Sequence, residues 1–279
     1  MDQTRAFAAW RLPWSLRLAG SLSGAVLEAS VDGALVELHL PLAEPISTGA
    51  APEVLPADNV DGAAGRTWTT TVKAVGNARV VTVFDVHRIV LVEIGASFRR
   101  VNTWTGRELA PWFAQLTDWL EVWTGQVTSP SARRAQQPVW GEGLERWLPD
   151  GDGWRHEAPR VVVDCSVPES HEVWGRAATY GELVSALERV ASGDRPTLRD
   201  LLIRDAQVHL LSGEPRRAAL DAGLAGELML AVACEPLAGA NGKLPGAKPG
   251  QSGSPLKTAT LGPLVTAAPP LGVSIPAGL

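Results

Sequence analysis

Hydrophobic and polar residues alternate with a period of two near the start of the chain, which is the pattern of a half-buried strand. The alternation runs over Trp14–Val26 and resumes over Ala34–Leu40. Between the two runs, Asp32-Gly33 supplies the positive φ angles of a two-residue type I′ turn, so we predict an antiparallel hairpin. Residues 41–65 are rich in Pro, Ala, Gly and Asp, lack periodicity, and are predicted to form a long loop.

Further strand patterns follow this loop. β-Branched residues dominate Thr67–Val75, and a Gly76-Asn77 turn separates them from the apolar run Ala78–Gly95, which suits one long or two short strands. Because the connections are short and no helical pattern lies between the strands, the sheet is predicted to be mostly antiparallel.

A helical pattern begins at Thr105, where Thr105-Gly106-Arg107-Glu108 matches a capping box. One face of this helix is wholly apolar, through Leu109, Trp112, Phe113, Leu116, Trp119, Leu120 and Trp123. We interpret the stripe as the cover of one face of the sheet rather than as a ligand site. Residues 1–125 are therefore predicted to form one β-rich module, with a capping helix over 105–123.

Residues 126–177 show no sustained period and are predicted to be an irregular linker, with one short buried strand at Arg160–Val167. Trp140, Trp147 and Trp154 recur there at intervals of seven. Glycine and proline residues between them argue against a continuous helix. We interpret the spacing as coincidence or as three anchors of a loop, in preference to a stacking platform.

Helical periods return in residues 178–235, which are predicted to form a helical bundle. Its helices are predicted to start at the capping box Thr179–Glu182, at Pro196 and at Pro215, and to end near Gly193, Leu211 and Cys234. Small residues dominate the last helix, and Gly223 and Gly226 in it predict a close approach by a neighbouring helix. Residues 236–279 are predicted to be a flexible Pro/Gly tail that ends in an incomplete helical domain.

Charge and cysteine content narrow the classes of function. The net charge is −5, so the chain lacks the basic field of a dedicated nucleic-acid-binding protein. Cys165 and Cys234 are too few for a disulfide framework and form no CxxC pair. Because the chain has neither an apolar leader nor an apolar run long enough to cross a bilayer, we predict a cytoplasmic protein without a membrane partner.

The helices after Pro196 carry a more specific pattern. A leucine-rich helix, LLIRDAQVHLLSG, is followed by a tight Gly turn, the helix GEPRRAALDAGLAGELML, a Pro/Gly loop and TLGPLV. This order resembles the first helices of HEPN-type domains, especially in bacterial proteins where such a bundle follows a β-rich region. The resemblance implies a bundle that pairs with a second copy and, in active relatives, a metal-independent ribonuclease site.

The candidate catalytic residues are Arg204, His209 and Glu227. The resemblance implies an arginine followed a few residues later by a histidine on a later helix, and no such pair occurs after Pro236. Arg204 and His209 have the right spacing on an earlier helix, where Asp205 and His209 can instead form an ordinary i, i+4 pair. Glu227 lies among apolar and small residues and is predicted to face water or to meet an arginine.

No metal site is predicted. Five residues are competent ligands, namely His156, Asp164, Cys165, His171 and Glu172. Their spacing matches no known signature, and Asp164 and Cys165 would point to opposite faces of a strand.

Asp85 and His87 share one strand face and resemble the orienting half of a nucleophilic triad. No GxSxG nucleophile elbow accompanies them, so a cross-strand polar pair is the preferred interpretation. Glycine-rich phosphate loops are also missing from the sequence, and no cofactor is predicted.

These patterns predict an α+β protein, in which a mostly antiparallel β-rich N-terminal module with one amphipathic helix precedes a C-terminal helical-hairpin bundle. The leading hypothesis is a non-catalytic interaction or regulatory protein whose HEPN-like helices associate with a copy of the chain or with a protein partner. One alternative is the N-terminal portion of a HEPN-type defence or toxin ribonuclease, with RNA as its partner. A second is a module that binds a ligand such as carbohydrate through exposed tryptophans.

Overall fold

The alternating segments form an antiparallel sheet. The computed structural model describes residues 5–43, 73–77, 80–94, 99–128, 144–157 and 173–234. In chain order the described strands are β1 (Arg5–Ala19), β2 (Val26–Val31), β3 (Ala34–His39), β4 (Lys73–Asn77), β5 (Val80–Ile94), β6 (Val127–Thr128), β7 (Leu144–Asp150), β8 (Gly153–Glu157) and β9 (Val173–Trp174). Seven of them share one sheet in the order β2-β3-β5-β1-β7-β8, with β4 beside β5, while β6 and β9 pair separately.

The first strand begins earlier than the sequence predicts. β1 ends at Ala19, and a 3-10 turn at Gly20–Leu22 separates it from β2, so the predicted strand over Trp14–Val26 is wrong in extent. Glycine is required at position 20 because an added Cβ atom would lie 1.7 Å from the carbonyl oxygen of Val81 in β5. Since glycine also weakens a strand interior, the chain leaves the sheet at this point.

The hairpin between β2 and β3 is confirmed. Asp32 and Gly33 have φ angles of 50° and 72°, as a type I′ turn requires. Gly76-Asn77, predicted as a turn, instead forms the end of β4 and pairs with β5. Residues 44–65 of the predicted loop and 67–72 of the predicted strand lie outside the described residues.

The amphipathic helix forms as predicted. After the short helix α1 (Arg99–Thr103), helix α2 spans Gly106–Thr124, and its capping box joins Thr105 to Glu108. The predicted apolar stripe of α2 is buried, apart from the half-buried Trp123, and belongs to the main core with inward-facing residues of β1, β2, β3 and β5.

Aromatic side chains fill the space between α2 and the sheet. The ring of Phe113 lies 5.5 Å from that of Trp10 and 5.2 Å from that of Trp14. Such pairs add to the free energy of burial, and they occupy the helix face that was interpreted as core. Phe113 and the two tryptophans of β1 therefore help to hold the helix on the sheet.

The predicted linker contributes two strands to the sheet. β7 pairs with Phe7–Trp10 of β1, and β8 pairs with β7, so the prediction for residues 126–177 is wrong over Leu144–Glu157. Trp147 of β7 is fully buried in a second cluster with Phe7, Ala9, Val90 and Val92. Because strand residues alternate between faces, this cluster lies on the sheet face opposite to α2.

Two of the three regularly spaced tryptophans can be placed. Trp147 stacks on His156, and Trp154 meets Phe7 edge-to-face with ring centroids 5.1 Å apart. Both therefore anchor strands rather than a loop. Trp140 and the predicted strand Arg160–Val167 lie outside the described residues.

The chain divides into two compact units, Met1–Arg195 and Pro196–Leu279. Helix α3 (Tyr180–Ala191) begins at its predicted capping box and packs against α2 and β2 within the first unit. The predicted bundle over 178–235 therefore starts too early, because the buried face of α3 belongs to the core of the sheet. The fold is α+β, with the sheet in the N-terminal part and helices in the C-terminal part.

The second unit contains a helical hairpin, the name used below for helices α4 (Leu198–Leu211) and α5 (Pro215–Cys234) with their turn. The two helices pack against each other as predicted, with Ala218 and Ala225 buried. A close approach at Gly223 is wrong, because a Cβ atom there would meet nothing within 4 Å. For Gly226 it stays a prediction.

Candidate functional site

The three candidate catalytic residues lie in the helical hairpin, where separate carboxylates contact Arg204 and His209. The guanidinium of Arg204 contacts Asp205, with 2.9 Å between Nε and Oδ1. The imidazole of His209 lies between two other acids: Nδ1 is 3.1 Å from Glu214 Oε2, and Nε2 is 3.6 Å from Asp221 Oδ2. His209 therefore pairs across the turn, and the predicted Asp205–His209 pair is replaced.

Glu214 links the two helices electrostatically. Burial raises the pKa of the Glu214 carboxyl, but the charge and hydrogen bond of Arg217 and those of His209 outweigh it, so the net shift of the pKa is downward. An ionised Glu214 orients the imidazole and ties the end of α4 to the start of α5. These contacts stabilise the turn between α4 and α5.

Glu227 is half-buried on α5, and its proposed catalytic use stays a prediction, as does that of Arg204 and His209. The side-chain hydroxyl nearest to His209 in sequence belongs to Ser212, and it donates to the carbonyl oxygen of Val208.

The helical hairpin exposes an unusual amount of apolar surface. Among the described residues, fourteen large hydrophobic side chains are exposed, and eight of them belong to the hairpin, although it makes up less than a quarter of those residues. They are Leu198, Ile203, Leu210, Leu211, Leu220, Leu224, Met229 and Val232. A concentration of exposed apolar side chains is typical of an interaction site.

A partly buried ion pair joins two central strands of the sheet. Asp85 of β5 lies opposite Arg17 of β1, and the distance from Arg17 Nε to Asp85 Oδ1 is 2.8 Å. The hydrogen bond to Asp85 raises the pKa of the Arg17 guanidinium, against the opposing effect of burial. Asp85 thus forms a cross-strand polar pair, as preferred, but its partner is Arg17 rather than His87.

The sequence analysis does not identify Gln126, whose side chain bonds to the backbone of Arg17 next to this ion pair. Its side-chain amide accepts a hydrogen bond from Arg17 N at 3.0 Å and donates one to Arg17 O at 2.7 Å. The amide therefore bonds to β1 as a neighbouring strand would. The only signal in the sequence is a lone glutamine after the glycine that ends α2.

One proposed metal ligand can be placed. His156 Nε2 lies 3.3 Å from Glu145 Oε2, and the other four residues lie outside the described residues. Within the described parts of the chain, no group of three His, Cys, Asp or Glu side chains could hold a metal ion. His156 and Glu145 instead form a polar pair beside Trp147.

Most of the tryptophan side chains that the structure describes are core residues. The buried ones are Trp10, Trp104, Trp112, Trp119 and Trp147. Trp123, at the end of α2, is half-buried and lines a groove of about 750 Å³ together with residues of α3.

At one end of this groove an ion pair fixes the start of α3. Arg176 donates to Glu182 and to the carbonyl oxygen of Trp123. The hydrogen bond from Arg176 lowers the pKa of Glu182 from 4.5 to about 2, with help from Thr179 and against the effect of burial.

Protonation of Glu182 is expected to destabilise the fold in acid. Since its folded-state pKa is below that of the unfolded chain, the stabilisation is complete above the ordinary value of 4.5 and is lost as the pH falls toward about 2. In thermal denaturation at a series of pH values, Glu182→Gln should have a lower Tm than the wild type at pH 7, and the difference should shrink below pH 4.5. A difference in Tm that stays constant over this range would contradict the assignment.

No family model, curated protein or solved structure matches the chain. Among the described helices, none combines the length and the apolar character needed to cross a bilayer.

Proposed function

We propose that this protein is a cytoplasmic bacterial interaction protein whose helical hairpin, formed by HEPN-like helices, binds a second copy of the same chain without catalysing a reaction. The observation that carries the proposal is the concentration of exposed large apolar side chains on the hairpin. Each helix of the hairpin exposes apolar side chains, which a second hairpin can cover in a four-helix arrangement.

The charges of the hairpin are compatible with binding to a copy of itself. Between residues 196 and 234 there are four arginines and five acids, so the net charge of this segment is 4 − 5 = −1. Several of these charges already pair within the chain, as in Arg199–Asp200, Arg204–Asp205 and Arg217–Glu214. Repulsion between two copies is therefore weak, and the apolar contact is not opposed.

The polar side chains favour binding over hydrolysis of RNA. A ribonuclease site needs its arginine and histidine directed at one phosphate, whereas Arg204 and His209 are held by separate carboxylates. The single-sign basic surface that would attract a phosphate backbone is also missing from a segment with a net charge of −1.

Light scattering on the full chain across a concentration series tests the proposal. We expect a mass of twice 29.5 kDa at micromolar concentration and dissociation toward 29.5 kDa on dilution. A mass of 29.5 kDa at every concentration, including the highest that stays soluble, would overturn the proposed association.

A further inference from the structure

The groove beside Trp123 is lined only by residues of the first unit and has the composition of a ligand site. It follows the exposed side of α3, and Trp123 forms its wall at the end of α2. Its volume of about 750 Å³ falls within the range of small-molecule sites. We call this surface the Trp123 groove.

The indole of Trp123 is held in place before any ligand arrives. Its ring packs on that of Trp119, with centroids 5.1 Å apart. Trp119 is fixed in turn, because its Nε1 donates to the carbonyl oxygen of Asp194 at 3.2 Å and the guanidinium of Arg189 lies 5.3 Å from its ring. A fixed aromatic surface loses little conformational entropy on binding.

Polar side chains line the groove next to this surface. Ser185 and Glu188 are exposed on α3, and within the described part of the chain their side chains make no hydrogen bond or ion pair. Arg189 reaches Asp194 with one nitrogen at 3.1 Å, and a guanidinium carries further N–H donors besides the one used in that pair. At Gly181 the groove is open, since a Cβ atom there would meet nothing within 4 Å.

We propose that the Trp123 groove binds a neutral saccharide. The apolar face of a sugar ring packs on an indole, and its hydroxyl groups pair with a carboxylate, a serine hydroxyl and a guanidinium. The charged residues of the groove are two arginines and three acids, so its net charge is 2 − 3 = −1. A groove with this balance does not select an anionic ligand such as a nucleotide.

Saturation-transfer NMR and calorimetry on the full chain test this site with a panel of neutral mono- and disaccharides, including glucose, galactose, maltose and cellobiose. We expect at least one to bind saturably with a Kd of about 1 mM or lower. Trp123→Ala should weaken that binding at least tenfold. Trp154→Ala, which changes a half-buried tryptophan outside the groove, should leave it unchanged.

A second variant tests the same site in case Trp123→Ala fails to fold. A Cβ atom at position 181 meets nothing within 4 Å, so we expect Gly181→Tyr to place its ring in the groove and to abolish binding without lowering Tm. Saturable binding that survives both groove variants would overturn the assignment of the site. Failure of every neutral sugar to bind, or binding of anionic ligands alone, would overturn the ligand class.

Discussion

Trp147→Ala is expected to lower the free energy of unfolding by about 3–5 kcal/mol, the usual cost of removing a large aromatic side chain from a core. Trp147 is 0% exposed. It belongs to the buried cluster with Phe7 and Val92, and its ring stacks on His156 at a centroid distance of 4.7 Å. Chemical denaturation monitored by circular dichroism measures the change.

Two matched variants test whether the loss of stability comes from removing the buried aromatic ring of Trp147. Trp154→Ala removes a half-buried indole from the neighbouring strand and should cost clearly less. Trp147→Phe keeps an aromatic ring and removes a buried Nε1 that has no hydrogen-bond acceptor, so it should also cost less than alanine. A loss below about 1 kcal/mol for Trp147→Ala would show that β7 is not part of the cooperative fold.

Replacement of both Leu220 and Leu224 by glutamate is expected to dissociate the proposed dimer. These side chains are four residues apart on α5 and are 72% and 45% exposed, so the charges should leave the folded monomer stable. In an interface the same carboxylates would be desolvated without partners, and association should weaken by at least about 100-fold. Sedimentation velocity over a concentration series measures the change.

Leu35→Glu provides the control for this experiment. Leu35 is 59% exposed, and it lies on β3 in the first unit, outside the helical hairpin. The control should keep the mass of the wild type. If the control dissociated the protein and the α5 double variant did not, the interface would lie on the sheet rather than on the hairpin.

Local signals account for the elements that sequence reasoning placed correctly. The turn at Asp32-Gly33 and the helix starts at Thr105 and Thr179 depend on residues within four positions of one another. The apolar stripe of α2 is likewise predictable from the sequence, because its residues recur at the spacing of one helix face within a single segment.

The errors occur where distant parts of the chain decide the structure. β1 ends at Ala19, and the next position must be glycine because the backbone of Val81, far away in sequence, leaves no room for a Cβ atom. β7 carries charged residues on both sides of Trp147, so its sequence shows no clear strand pattern. It forms a strand because it pairs with β1, which lies far away in the sequence. α3 has the pattern of any amphipathic helix, and its periodicity does not say which core it covers.

The candidate sites, too, are predictable from the sequence only in part, because contacts between different elements decide the rest. The apolar character of α4 and α5 is visible in the sequence, but which of their side chains stay exposed depends on the contact between the two helices. The Trp123 groove combines residues of α2 with residues of α3 more than fifty positions later. Tryptophan content alone suggested ligand binding without indicating which of the tryptophans borders a groove.

Gln126 has a consequence for how the protein behaves at high concentration. β7 covers only Phe7–Trp10 of β1, so the backbone around Arg17 would form an open edge on that side. The amide of Gln126 and the backbone of Ala178 occupy its hydrogen-bonding groups. A stretch already capped in this way offers no template to a strand from another molecule, which protects the protein from edge-to-edge aggregation of the amyloid kind.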